Sequence, residues 1–132
     1  MIEIETKKSV DVVDITTLVE ESLQDDRIEN GICLVYTLHT TTGLAVNEFD
    51  EALIKDTLNL LERLVPEGAD YLHNRNRSDG NADAHLRATL LGNSVVIPVE
   101  QKKLILGKWQ RILFFELDGP RRRSIYVKVA AN

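Results

Sequence analysis

Cysteine is almost absent from the chain: Cys33 stands alone among 132 residues. One thiol cannot staple the domain, so a disulfide scaffold is excluded, and its place in an apolar run marks it as core. Long apolar stretches are missing too. No window approaches the roughly 18 continuous apolar residues that a membrane helix needs. The opening MIEIETKK alternates like a strand and lacks the basic-then-apolar order of a secretory signal. Cytoplasmic residence is the expectation. No repeat, low-complexity tract or Pro/Gly/Ser-rich linker interrupts the chain, and its length suits one domain over 1–132. A Walker loop, a Rossmann glycine fingerprint and a nucleophile elbow are all lacking.

Positive charge is in deficit. Sixteen Lys and Arg against 21 Asp and Glu leave a net charge of −5, which disfavours a general nucleic-acid binder, because phosphate neutralisation needs a basic surface. The cations that exist are uneven. Arg121, Arg122 and Arg123 are consecutive, and Arg75, Arg77 and Arg87 surround the second and third histidines. An acidic protein with local arginine clusters suits a small anion better than a polymer; a solvated face is the plainer alternative.

What is present reads as short alternating elements. Ile2 and Ile4 alternate with Glu3 and Glu5, and Ser9 to Val13 continues extended. Asp14 or Thr16 can cap a helix to about Arg27, with Thr17 and Glu20 at capping-box spacing and a stripe of Ile15, Leu18, Val19 and Leu23. Ile32 to Leu38 is a strongly apolar strand, and Leu44 with Val46 marks another. Asp50 opens a helix to about Val65, with Ile54, Leu58, Leu60, Leu61 and Leu64 on its apolar side, and Pro66 stops it. A long polar loop, Glu67 to Asp83, precedes a short helix, Ala84 to Leu91, that ends at Gly92. Strands are predicted at Ser94–Val99, Leu104–Leu106, Trp109–Leu117 and Ser124–Ala130. This order is not a βαβ alternation, so the fold class is α+β with an antiparallel or mixed sheet. Two sizeable helices leave one sheet face uncovered, which an oligomer would bury.

The chemistry gathers around three histidines, in "LHTTTG", "YLHNRN" and "DAHLRA". His39, His73 and His85 each stand at an element end or in a loop beside polar neighbours, which suits a zinc-type site with an open position. Their separations match no local metal motif, so scattered surface or core histidines remain the alternative. Glu48, Asp79, Asn81, Asp83 and Glu116 could orient ligating imidazoles or serve as caps and turn formers. Glu116 interrupts "RILFFELDG" and faces either a site or solvent. The threonines Thr40 to Thr42, with Gly43, line a groove, satisfy a strand end or cradle an anion.

Several separated stretches, "HTTTGLAVNE", "YLHN", "DAHLRATLLGNSVVIPV" and "LILGKWQRILFFELDGPRRRSIYV", together resemble the YjbQ-like family, named secondary thiamine-phosphate synthases. The resemblance covers almost the whole chain and is weakest over 1–29. Gln101-Lys102-Lys103 departs from it, replacing the glycine-containing turn usual before "LILG". It implies an α+β fold whose sheet curves into a sandwich or half-barrel, with two main helices and one short one, assembled as a homotrimer. It implies a divalent-metal site, zinc foremost, at His39, His73 and His85. Glu48, Asp79 and Glu116 become candidate catalytic carboxylates. Thr40, Thr41, Asn47, Asn74, Asn81, Gln110, Arg121 and Arg123 become candidate ligand contacts, with Trp109 and the Asp118–Arg121 turn in the same signature. The activity implied is a low thiamine-phosphate synthase activity, joining hydroxymethylpyrimidine diphosphate to thiazole phosphate with release of pyrophosphate. Such chemistry needs cations around the departing pyrophosphate. A three-histidine metal is atypical for diphosphate, since Mg²⁺ prefers oxygen ligands, and suits hydrolysis or carbonyl polarisation better. A metal-dependent hydrolase or lyase on another small phosphorylated or carbonyl metabolite is therefore the alternative, followed by a non-enzymatic ligand- or metal-binding module. Neither nucleic acid nor membrane is an expected partner.

Overall fold

The computed structural model describes all residues 1–132. Eight strands and three helices follow in the order β1 (Ile2–Glu5), β2 (Asp11–Asp14), α1 (Thr16–Gln24), β3 (Gly31–Thr37), β4 (Thr42–Asn47), α2 (Glu51–Leu64), α3 (Ala82–Leu91), β5 (Ser94–Glu100), β6 (Lys103–Leu104), β7 (Arg111–Glu116) and β8 (Arg122–Ala131). The fold is α+β. A five-stranded curled sheet, β1-β8-β3-β5-β6, packs on a three-stranded sheet, β2-β7-β4. Every pairing is antiparallel.

Strand β7 explains the layering. It lies between β2 and β4, and both its faces are buried. Ile112 and Phe114 point into a core shared with Ile15, Val35, Ile97 and Ile125 between the sheets. Leu113 and Phe115 point the other way, to Leu61 and Ala84 of α2 and α3. The continuous apolar run of β7 thus serves two cores, as a strand buried on both faces must. Truncating the fully buried Phe114 to alanine would cost about 3–5 kcal/mol.

Several boundaries differ from the sequence pattern for local reasons. Helix α1 ends at Gln24, not Arg27, because the Asp26 carboxylate accepts the Ile28 N–H in a turn. Its start makes no capping-box hydrogen bond; Asp14 instead accepts from the Thr16 N–H and hydroxyl, and Thr16 Oγ1 accepts the Ile112 N–H. Helix α2 is capped by Asp50 as expected, accepting from the Leu53 N–H at 2.9 Å, but Leu60 and Leu64 are exposed. The predicted strand at Leu104–Leu106 shrinks to β6, reached through a two-residue turn. Gln101 and Lys102 both have positive φ, 51° and 63°, so non-glycine residues make a hairpin turn that normally favours Asn or Gly.

Strand β3 alternates: Cys33, Val35 and Thr37 face the core, while Ile32 and Tyr36 face outward. With Leu38, Val96 and Tyr126 they form an exposed apolar outer face on the five-stranded sheet. Cys33 is fully buried, and desolvation with the nearby Asp26 charge raises its thiol pKa to about 11, so it stays a protonated core residue. No helix is long and apolar enough to cross a membrane.

Candidate functional site

The site forms where β3 hands over to β4. Thr37 and Thr42 close the connection with a hydroxyl–hydroxyl hydrogen bond of 2.7 Å, which holds Leu38 to Thr41 as a fixed loop. The half-buried His39 accepts the backbone N–H of Ser124 at Nε2, 2.8 Å away. That bond requires an unprotonated Nε2 and leaves the neutral ring's proton on Nδ1. Burial, together with the charges of Arg123 and Arg121, holds the His39 pKa below its ordinary value against the opposing pull of Glu116.

Behind His39 lies a buried ionic network. Arg123 Nε donates to Glu116 Oε1 at 2.8 Å, and its Nη2 bonds both Glu116 Oε2 and Thr41 Oγ1. Thr6 donates to Glu116 Oε1, and the Asp118 N–H to Oε2. Glu116 is 0% and Arg123 4% exposed. Desolvation raises the Glu116 pKa, but the hydrogen bonds from Arg123, Thr6 and the Asp118 N–H outweigh it and hold the carboxyl below its ordinary value.

The turn after β7 carries a second pair. Arg121 donates through Nε to the Asp118 carbonyl (2.7 Å) and through Nη2 to Asp118 Oδ2 (3.0 Å). Asn81, immediately before α3, donates its amide to the same Oδ2 at 3.1 Å. A carboxylate only accepts, so the Asn81 carbonyl must face His73, whose Nε2 then carries the proton across 3.1 Å. The His73 ring meets His85, on the first turns of α3, edge-on at 4.9 Å between centroids.

Two cavities open here. One of about 270 Å³ is lined by Asn81, Asp118, Arg121 and Arg123 among others. One of about 670 Å³ is lined by Tyr36, Thr42, Ala88, Thr89 and Asn93 among others. Leu38, His39, Thr40 and His85 line both. The structure therefore gathers His39, His73, His85, Thr40, Thr41, Asn81, Arg121 and Arg123 at one end of the sandwich.

Other predicted residues lie elsewhere. Glu116 lines neither cavity; it is the buried partner of Arg123. Asn47, Glu48 and Gln110 sit at the far end of β4 and β7, where Asn47 pairs with Arg111 while Thr42 pairs with Glu116. Five residue steps of strand, roughly 17 Å, separate the two ends. There Asn47 caps the Glu48 N–H and Gln110 accepts the Gly107 N–H. Asp79 caps its own turn at the Gly80 N–H, and Asn74 accepts the Ala82 N–H to start α3. Arg87 is buried and donates twice to the Val65 carbonyl at the end of α2, and Arg75 pairs with Asp70. Sequence reasoning missed Asp118 as a hub, although its place in the Asp-Gly-Pro-Arg turn was a usable signal. Ser124 and Thr6 act through a backbone N–H and a single hydroxyl, and no sequence pattern marked them.

The three imidazoles do not form a ready metal centre. No group of three or more His, Cys, Asp or Glu side chains is placed to hold an ion. His73 fits the requirement, with Nε2–H backed by Asn81 and Nδ1 free. His39 does not, because its Nε2 is taken by Ser124.

Sequence and structure comparisons agree over the whole chain. The sequence model of the family described as UPF0047 protein YjbQ-like matches residues 1–132. A UPF0047 protein of Archaeoglobus fulgidus is 54% identical over 125 residues, 95% of each chain. The UPF0047 protein YugU of Bacillus subtilis is 39% identical over 97% of this chain and 96% of its own. The crystal structure of a YbjQ-like protein of unknown function from Sulfolobus solfataricus superposes with a TM-score of 0.93 at 39% identity, covering 99% of this chain and 94% of that one.

Proposed function

We propose, for a chain that belongs to the UPF0047 family of YjbQ-like proteins, that the histidine–arginine end of the sandwich is an enzyme site for a small phosphorylated metabolite. The observation that carries this reading is the shared cavity wall: His39 and His85 stand beside Arg121 and Arg123 in one polar recess. The reaction to test first is the thiamine-phosphate synthase condensation. In it the thiazole nitrogen attacks the pyrimidine methylene carbon, a C–N bond forms, and the C–O bond to diphosphate breaks with its electron pair leaving on pyrophosphate. Arg121 and Arg123 would stabilise that leaving charge, and the His39 Nδ1–H would supply a hydrogen bond to it. Purified protein given both precursors should form thiamine phosphate, and His39→Ala and His85→Ala should abolish it. Unchanged turnover in both variants would sink the reading.

A second reading is favoured by the pairing of each arginine with a carboxylate, Arg121 with Asp118 and Arg123 with Glu116. Those four groups sum to no net charge, which suits a singly phosphorylated substrate better than a diphosphate. A hydrolase or lyase on such a metabolite would be inactive with the thiamine precursors and would release phosphate or a carbonyl product from another ester.

Two further expectations belong to this proposal. Zinc held by His39, His73 and His85 requires His39 to exchange the Ser124 N–H for the ion, and elemental analysis of untagged protein tests it. A homotrimer would bury the apolar face of Ile32, Tyr36, Val96 and Tyr126, and light scattering of eluted protein reads the assembly directly.

A further inference from the structure

We infer that the substrate lies in one direction through the two cavities, with an oxyanion head between Arg121 and Arg123, an uncharged body in the larger cavity, and the atoms between them beside His39 and His85. This inference rests on the reading of the site as one for a phosphorylated metabolite and adds its orientation and the chemistry of its non-anionic part.

Unused donors set the head. Arg123 is 4% exposed, yet only its Nε and Nη2 are engaged by Glu116 and Thr41. Its Nη1 has no protein partner, and no fully buried polar side-chain atom in the molecule lacks one. Nη1 therefore reaches open space, and the space that Arg123 lines is the smaller cavity. Arg121 likewise spends Nε and Nη2 on Asp118 and keeps Nη1. Two Nη1 groups at one recess can each donate a charge-assisted hydrogen bond to a tetrahedral oxyanion. Asp118 faces the same cavity and opposes an anion, but its Oδ2 is already covered by Asn81 and Arg121.

Charge segregation sets the body. Every Asp, Glu and Arg of the combined recess lines the smaller cavity, and the larger one has none. Tyr36, Leu38 and Ala88 offer it apolar surface, while Thr89 and Asn93 offer neutral hydrogen bonds. A second charged group would there be desolvated without a partner. A neutral ring or short polar chain fits. Because His39 and His85 line both cavities, a ligand spanning them places its central bonds at the imidazoles.

The experiment is calorimetric titration of the full chain with inorganic phosphate and with phenyl phosphate, a neutral-bodied monoester. Phenyl phosphate should bind more tightly than phosphate. Arg121→Gln should weaken both about tenfold, the value of one charge-assisted hydrogen bond, and Arg123→Lys, which keeps a cation for Glu116, should do the same. Thr89→Trp, which fills the larger cavity, should weaken phenyl phosphate while leaving phosphate unchanged. Phosphate affinity indifferent to both arginine changes in folded protein would overturn the head assignment. Equal loss of both ligands in Thr89→Trp, or no binding of either to the unaltered chain, would overturn the orientation. The expected binding pattern without turnover of any precursor would condemn the enzymatic reading and leave the orientation standing.

Discussion

Two arginine–carboxylate pairs come from the same eight residues, nested one inside the other, and they do different work. Glu116 and Arg123 form the inner pair, with side chains 0% and 5% exposed. Asp118 and Arg121 form the outer pair, 29% and 56% exposed. Each joins a carboxylate to a guanidinium; solvent separates them. An ion pair without water must satisfy nearly every donor and acceptor from protein, and Thr6, Thr41 and the Asp118 N–H complete the inner one. An ion pair in water contributes little to stability and keeps its spare donors for a ligand. The sharpest way to break this contrast is Arg123→Met. It leaves the Glu116 carboxylate buried and unpaired, and should cost about 3–5 kcal/mol, a large share of the usual 5–15 kcal/mol of a domain. Urea unfolding measures it. The double variant Arg123→Met/Glu116→Gln should recover much of the loss, since no buried charge is then left alone.

Acid titration sharpens the comparison next. The Glu116 carboxyl titrates below its ordinary 4.5 in the folded chain. A depressed carboxylate contributes stability that is present above the unfolded pKa and lost as pH falls through the folded one. Stability should therefore drop on acidification below about pH 4.5, and the drop should be shallower in Glu116→Gln. Asp14 shares the direction: burial raises its pKa, but hydrogen bonds from Thr16 and Arg111 outweigh it and carry it below 3.8. Asp14→Asn is accordingly the control that separates the two contributions. Urea midpoints taken from pH 7 to pH 3 on both variants decide it. An unchanged pH slope in Glu116→Gln would show that the inner pair does not govern acid stability.

A smaller effect is expected at the turn that joins the pairs. A Cβ at Gly119 would lie 2.5 Å from the Lys8 carbonyl oxygen and 2.7 Å from Glu116 Cγ. Backbone on one side and a pinned side chain on the other leave little room to give, so Gly119→Ala should destabilise by about 1–3 kcal/mol. Thermal melting reads it, and a neutral result would mean that Glu116 is less firmly held than its hydrogen bonds suggest.

The contrast also separates what the sequence shows from what it hides. Helix α2 was legible because Asp50, an apolar period and Pro66 are local signals, and α3 ended at Gly92 as expected. The histidines were legible as a group because each sits among polar neighbours at an element end, and the fold brings all three to one end of the sandwich. Pairing was not legible. Alternation says which residues of a strand share a face, but nothing local to β7 says that β2 and β4 flank it or that Thr42 meets Glu116. For that reason Glu116 reads as a candidate catalytic carboxylate, while its partner, seven residues on, is folded back over it. For the same reason the sequence does not separate Glu48, Asn47 and Gln110 from His39, although the length of β4 holds them apart. The exposed leucines on α2 have a simpler cause: its apolar side is wider than the core covers.

Arg121→Gln is the smallest of these changes in stability and the one on which the comparison turns. Its side chain is more than half exposed, its partner is three residues away, and water replaces what the substitution removes. The urea midpoint should stay within about 0.5 kcal/mol of the unaltered chain while phosphate affinity falls. A variant that loses affinity without losing stability marks a group whose hydrogen-bonding capacity is directed at a ligand. If Arg121→Gln instead destabilised the chain by more than about 1.5 kcal/mol, the outer pair would belong with the inner one as architecture. The recess would then offer an oxyanion the single Nη1 of Arg123.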